Sequence, residues 1–290
     1  MNEPIDILKL HPIRKTKAQK ENFRSDVLAY VKEQGYEPQI ETEKMGIRNV
    51  VIGDPDKAKY LVTAHYDTPM TTKFVMLIGV VIGIGLKILM PEECRGAVRT
   101  MIFFMVFFAA YRFQLFPANK NNANDNTSGV VTVLEILRTL PKNHRDKVCF
   151  VLFDQEEGGL KGSSAYRKSH KTATETQLIL NLDCVGDGEH ILLMPNKKAR
   201  LDEKLIERLK SLDGWFGEKQ ILTDDKGDCN TYSDHKNFPY AVAIGAYHKK
   251  KGNNYVVDKI HTKHDVILDM TNVDLLRVAL TTFVCGDAVK

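Results

Sequence analysis

The stretch Val148-Cys149-Phe150-Val151-Leu152-Phe153-Asp154-Gln155-Glu156-Glu157-Gly158 decides the reading of the fold. Six apolar residues in a row are the pattern of a short strand buried on both faces, because a strand with one wet face alternates apolar and polar positions. Three acids follow at once. In open α/β sheets, ligands bind outside the carboxyl ends of the strands. The acidic end of this run is therefore a candidate site as well as a strand end.

Working outward, the same arrangement recurs. The apolar run 60–65 ends in His65-Tyr66-Asp67, and the run 177–185 holds Asp183 near its end. Residues 190–194 and 240–246 are also strand-like, and 49–53 is expected to pair with 60–65 across the turn sequence Asp54-Pro55-Asp56. Between the strands, periodicity predicts helices over 16–34, 128–140, 161–170, 202–212 and 272–288. The first has Phe23, Val27, Leu28 and Val31 at three-to-four spacing and Gly35 at its stop; the last has Val273, Leu276, Leu280 and Val284 on one face. Strands alternating with helices predict an α/β fold, a sheet with helices on both faces. No internal repeat is present.

Composition sets outer bounds. A chain of 290 residues that is 43% hydrophobic and 27% charged is neither disordered nor a polytopic membrane protein. A net charge of +4, with no nucleic-acid motif, gives no reason to expect DNA or RNA as a partner. Lys9, Arg14, Lys15, Lys17 and Lys20 read as the solvated start of a helix rather than a lipid contact. The five cysteines, Cys94, Cys149, Cys184, Cys229 and Cys285, are widely spaced with no CxxC pair, which suits free thiols in a reducing compartment. The first 15 residues hold no apolar run of signal-peptide length, so the catalytic part is expected in the cytoplasm.

Acids and histidines gather at the strand ends. Asp125 lies in Asn124-Asp125-Asn126-Thr127-Ser128-Gly129 just before a helix, and His261 in His261-Thr262-Lys263-His264-Asp265. Taken singly, each piece has a plain reading: an N-cap for Asn-Asp-Asn, a solvated pair for Glu-Glu, an exposed loop for a late His. Together on one sheet edge the acids would repel one another unless a cation neutralised them. Two His and three carboxylates suit Zn²⁺, and are enough for two ions sharing one carboxylate.

These segments, with Asn181-Leu182-Asp183-Cys184-Val185-Gly186 and Ser233-Asp234-His235, resemble in order the co-catalytic zinc aminopeptidase family. That family includes bacterial leucyl aminopeptidases, glutamate carboxypeptidase and the transferrin receptor. The resemblance implies the zinc exopeptidase fold, a central mixed β-sheet flanked by helices on both faces, and a metallo-exopeptidase, foremost an aminopeptidase acting on peptides. It implies two zinc ions per chain. His65 and Asp183 would hold one, Glu157 and His261 the other, and Asp125 would bridge them. Glu156 would be the general base, and Asp67 would hydrogen-bond His65 and fix its tautomer. The family pattern favours His261 over His264 as the ligand, and gives Ser233-Asp234-His235 a supporting role. Lys263 stands where the family commonly has proline. Two rival readings are a glutaminyl-cyclase-like aminoacyltransferase with one zinc, and a catalytically inactive binding module.

One stretch lies outside the resemblance. Residues 74–116 contain 30 hydrophobic positions in 43 and seven of the 13 Phe, and they separate Asp67 from Asp125. The apolar runs 74–90 and 101–116 are each about 25 Å long as helices, at the short end for spanning a bilayer. Lys87 and Arg112 lie near run ends, where they can snorkel, and Gly79 with Gly83 forms a GxxxG. The expected organisation is one discontinuous peptidase domain, 1–73 and 117–290, with an inserted apolar helical hairpin over 74–116. A membrane-embedded hairpin is the favoured reading; a hydrophobic lid or dimer arm, and buried core helices, are the others. Basic residues at the outer ends favour attachment to the cell membrane with the catalytic domain facing the cytoplasm, against a soluble cytoplasmic enzyme. Substrates are then expected to be hydrophobic or membrane-associated peptides.

Overall fold

The computed structural model describes residues 3–70, 72–89, 96–112, 117–250 and 254–286. Its centre is a ten-stranded mixed sheet. In chain order the strands are β1 (Pro38–Thr42), β2 (Arg48–Ile52), β3 (Tyr60–His65), β4 (Val148–Phe153), β5 (Leu178–Leu182), β6 (His190–Pro195), β7 (Gly214–Phe216), β8 (Lys219–Thr223), β9 (Ala241–Lys250) and β10 (Asn254–Val256). They lie in the order β1-β2-β4-β3-β5-β9-β6-β8-β7, with β10 beside β9. The four central strands, β4, β3, β5 and β9, are mutually parallel, so their carboxyl ends open on one edge.

The quoted run is β4, and both of its faces are buried. Val148, Phe150 and Leu152 point into the larger core with Val62 and Leu180. Cys149, Val151 and Phe153 point the other way, against Leu61, Tyr166 and Ile179. The larger core is closed by α1 (Pro4–Leu10), α2 (Lys17–Glu33), α5 (Gly129–Thr139), α7 (Lys197–Arg200), α8 (Glu203–Lys210) and α9 (Met270–Cys285); α6 (Lys161–Ser169) covers the other face. A capping box between Thr16 and Gln19 starts α2, and Gly35 in the left-handed region (φ 77°) ends its last turn.

Two expectations are corrected. β2 and β3 do not form a hairpin: β4 lies between them, antiparallel to β2 and parallel to β3. The Asp54 turn does form, with Oδ1 accepting from the Asp56 and Lys57 amides, but it returns the chain one strand beyond its neighbour. The basic N-terminal stretch is not simply solvated either. Arg14 is fully buried, and Lys20 is 8% exposed.

Past the end of β3, Met70 and Ala118 bridge one another antiparallel, outside the sheet. Between them lie α3 (Thr72–Leu89) and α4 (Ala97–Arg112). The ring of Phe107 packs over Gly79, where an added Cβ would sit 3.3 Å from it. Among the described residues, no helix is long and apolar enough to cross a membrane. The expectation of membrane-spanning helices is therefore corrected. α4 has 16 residues, about 24 Å against a hydrocarbon core of about 30 Å. In α3 the uncharged run between Lys73 and Lys87 is shorter still. The connection, 90–95, and the end of the second apolar run, 113–116, lie outside the described residues.

Candidate metal centre

The parallel strand ends deliver the side chains. His65 is the last residue of β3, Glu156 and Glu157 follow β4, and Asp183 follows β5. Asp125 comes from the irregular turn before α5, and His261 from the loop before α9. The structure brings all six to one pocket of about 480 Å³.

Asp125 stands in the middle. Its Oδ1 is 3.3 Å from His65 Nε2, and its Oδ2 is 2.8 Å from His261 Nε2. On the His65 side, Nε2 is 3.7 Å from Asp183 Oδ1. On the His261 side, Nε2 is 3.7 Å from Glu157 Oε1. Two groups of potential ligand atoms result, His65–Asp125–Asp183 and Asp125–Glu157–His261, each within 4.8 Å, and they share the Asp125 carboxylate. Asp183 Oδ1 is buried and no donor among the described residues hydrogen-bonds it. Nitrogen and oxygen donors at this spacing, with a buried anionic oxygen lacking a donor, fit zinc. His264 is exposed, and its amide bonds Thr262 Oγ1, so it is not among these groups.

Without a cation the cluster is short of positive charge. Burial pushes Glu156 well up from the usual carboxylate range, and the charges of Glu157, Asp234 and Asp183 add to it. Burial, then Asp125, does the same to Glu157. Burial opposes charge on His65, but the charge of Glu156 and the nearby carboxylates of Asp125, Asp183 and Asp67 outweigh it and hold the imidazole well above its usual range. Burial also opposes charge on Asp125; His261 and His65 outweigh it and lower the carboxyl. Anions packed in low dielectric demand counter-charge, supplied by protons or by metal.

The surrounding bonds fix these loops to one another. His65 Nδ1 lies 3.1 Å from the Asp67 carbonyl, which leaves Nε2 toward Asp125. The Asp67 carboxylate is 3.6 Å from Nδ1, too long for a hydrogen bond, and instead accepts from the Glu156 and Glu157 amides at 2.9 and 3.2 Å. Asp67 thus holds the Glu-Glu loop, while its backbone orients His65. Asn126 Oδ1 accepts from the Gly129 amide at the start of α5, and its Nδ2 also reaches the Leu182 carbonyl beside Asp183. A Cβ at Gly129 would stand 2.6 Å from that carbonyl, so only glycine permits the approach. Asp265 accepts from the Asn124 and Asp125 amides. Gln155 beside Glu156, Cys184 beside Asp183, and His261 itself take left-handed φ of 58°, 57° and 57°. Such angles persist where the surroundings over-determine them.

Sequence reading missed Arg14. Its Nε donates to the Tyr66 carbonyl at 2.6 Å, one terminal nitrogen to the His11 carbonyl at 2.8 Å, and the other to Thr127 Oγ1 at 3.1 Å. It ties the His65 loop to the Asp125 loop from behind. Burial lowers its guanidinium to about 10, while Asp67 and Asp125 favour the charge. Similarly, Lys20 pairs with buried Asp154 at 2.6 Å. Nothing local marked either residue. The same pocket is also lined by Tyr232, Tyr247, Tyr255, Val257 and Ile260, equally unmarked in sequence. The free thiols expected from the spacing are free at Cys149, Cys184 and Cys229; Cys94 lies outside the described residues.

Comparison with known proteins places this geometry. The profile described as Peptidase family M28 matches residues 49–283. Leucine aminopeptidase 1 of Pyrenophora teres f. teres (strain 0-1) is 29% identical over 181 residues, covering 57% of this chain and 43% of that protein. Aminopeptidase YwaD of Bacillus subtilis (strain 168) is 43% identical over 67 residues, 22% of this chain and 15% of that protein. The matches thus cover less than half the length of these relatives. Among solved structures, the glutaminyl cyclase of Porphyromonas gingivalis superposes with a TM-score of 0.66 at 17% identity, covering 98% of this chain and 95% of that one. The LapA aminopeptidase of Legionella pneumophila gives 0.60 at 16%, covering 99% and 70%. These structural likenesses establish the shared fold.

Proposed function

The chain belongs to peptidase family M28, and from that premise we propose that it is a zinc-dependent exopeptidase, an aminopeptidase that trims N-terminal residues from peptides. The observation that supports this best is the Asp125 carboxylate, whose two oxygens face His65 and His261 separately. That is the arrangement a carboxylate needs to be shared by two ions. His65 and Asp183 would hold one zinc and Glu157 and His261 the other. When bound, such a pair supplies a lowered water pKa and a polarised scissile carbonyl.

The chain's own residues do the rest. Glu156 takes a proton from the attacking water and returns it to the leaving amine as the peptide bond breaks. Asp67, through the Glu156 and Glu157 amides, keeps the base beside its neighbouring ligand. The wall of Tyr232, Tyr247, Val257 and Ile260 gives the substrate's terminal side chain an apolar surface to bury.

The test is Glu156→Gln, assayed on a peptide library loaded with zinc. The variant is expected to keep its zinc and lose about 10²–10⁴-fold in turnover. Retained turnover removes Glu156 from the base role. Cyclisation of N-terminal Gln without chain shortening replaces the peptidase reading with the cyclase one.

A further inference from the structure

We propose that α3 and α4 seat the chain on an anionic lipid bilayer, entering its surface without crossing it. Leu77, Ile84 and Ile88 form an exposed stripe on α3, and Met101, Phe104 and Phe108 one on α4, each more than half exposed. Both follow three-to-four or seven-residue spacing, so each is one continuous helix face. Packing between the two helices uses other residues, with Phe107 over Gly79 and stacked on Phe103 at 5.8 Å. Of the exposed large apolar side chains among the described residues, more than half lie on these two helices. Patches of that kind mark interaction surfaces.

Charge decides the occupant. α3 and α4 contain Lys73, Lys87, Arg99 and Arg112 and no acid. From 68 to 124 there are six Lys and Arg against two Glu, so this segment accounts for the whole net charge of +4 and the remainder of the chain is neutral. A second copy would bring the same sign to the interface. An anionic headgroup layer brings the opposite sign, and basic residues beside an apolar helix face are what an interfacial helix requires. Neither described helix is long and apolar enough to cross.

The neck of the segment reaches the metal centre. Beyond the Met70–Ala118 bridge, Asn119 donates to the Thr262 carbonyl at 2.9 Å and Asn121 to the Lys263 carbonyl at 2.5 Å, on the loop that carries His261. A bilayer under α3 and α4 would lie close to the pocket. The surface stands whether or not that pocket hydrolyses peptides.

Flotation of the full chain with vesicles tests it. Equal parts phosphatidylcholine and phosphatidylglycerol should carry the chain to the top of the gradient, and phosphatidylcholine alone should carry far less. Lys73→Gln with Lys87→Gln should weaken binding to the anionic vesicles about 30-fold, about fivefold for each charge. Ile84→Asp with Phe104→Asp should abolish flotation while circular dichroism stays that of the parent. Equal flotation on both vesicle types, or no flotation together with a dimer that Ile84→Asp and Phe104→Asp dissociate, overturns the proposal.

Discussion

Replacing Arg14 by Met tests how the two ligand loops are held. The guanidinium is fully buried and donates to Tyr66 O, His11 O and Thr127 Oγ1. Methionine fills much of the volume but donates nothing. The buried Tyr66 carbonyl left without a donor costs about 1–3 kcal/mol and the half-buried His11 carbonyl less, so the two together give about 2–4 kcal/mol. Removing a buried charge from beside Asp67 and Asp125 falls in an overlapping range, about 3–5 kcal/mol, and the two figures describe one loss rather than two. We therefore expect about 4 kcal/mol, a fall in Tm on the order of 10 °C for a chain of this size. Urea unfolding measures the first number and calorimetry the second. Because Tyr66 follows His65 and Thr127 lies two residues past Asp125, zinc affinity should also fall by about 10–100-fold, as when a group orienting metal ligands is lost. Arg14→Lys should lie in between, since an ammonium keeps the charge but not the three-way fork. A loss below about 1 kcal/mol with unchanged zinc affinity refutes the assignment of Arg14 as the tie between the loops.

His261→Ala removes a donor from one side of Asp125 only, so metal analysis should read one zinc per chain in place of two; an unchanged count would place the second ion elsewhere. His235 is buried and its imidazole is lowered to about 4, first by burial and then by Lys236. The unfolded ring takes up a proton near 6.5 and the folded ring does not, so this group removes stability as pH falls from about 6.5 toward 4, by about 3 kcal/mol in all. His235→Gln should therefore gain about 2–3 kcal/mol relative to the parent between pH 7 and 4.5 in urea unfolding, and a constant difference would show that the ring is not held neutral.

What could be read in sequence follows from where each signal is stored. β4 was legible because burial on both faces leaves a continuous apolar run, and the candidate site was legible because its acids follow such runs in order. Strand pairing was not: β4 enters between β2 and β3 from far along the chain, and no local pattern records that. β1, with sequence PQIET and a largely uncovered face, offers no run to see. Arg14 and Lys20 sit among surface-like lysines, yet their partners Thr127 and Asp154 are more than a hundred residues away. Asp67 was singled out for one contact and makes another, because its backbone and carboxylate divide the work between His65 and the Glu-Glu loop. For the apolar segment, the two runs located α3 and α4 and their approximate lengths, but not which residues pack between them.

The central claim is a two-ion hydrolytic centre bridged by Asp125. The most direct measurement strips the purified chain with a chelator and returns zinc stepwise, following metal content and release of an amino acid from an aminoacyl amide. The account predicts no turnover in the stripped chain, and full turnover when two zinc ions per chain are bound. Saturation at one zinc per chain, or two bound zinc ions with no hydrolysis of any N-terminal residue, would contradict it.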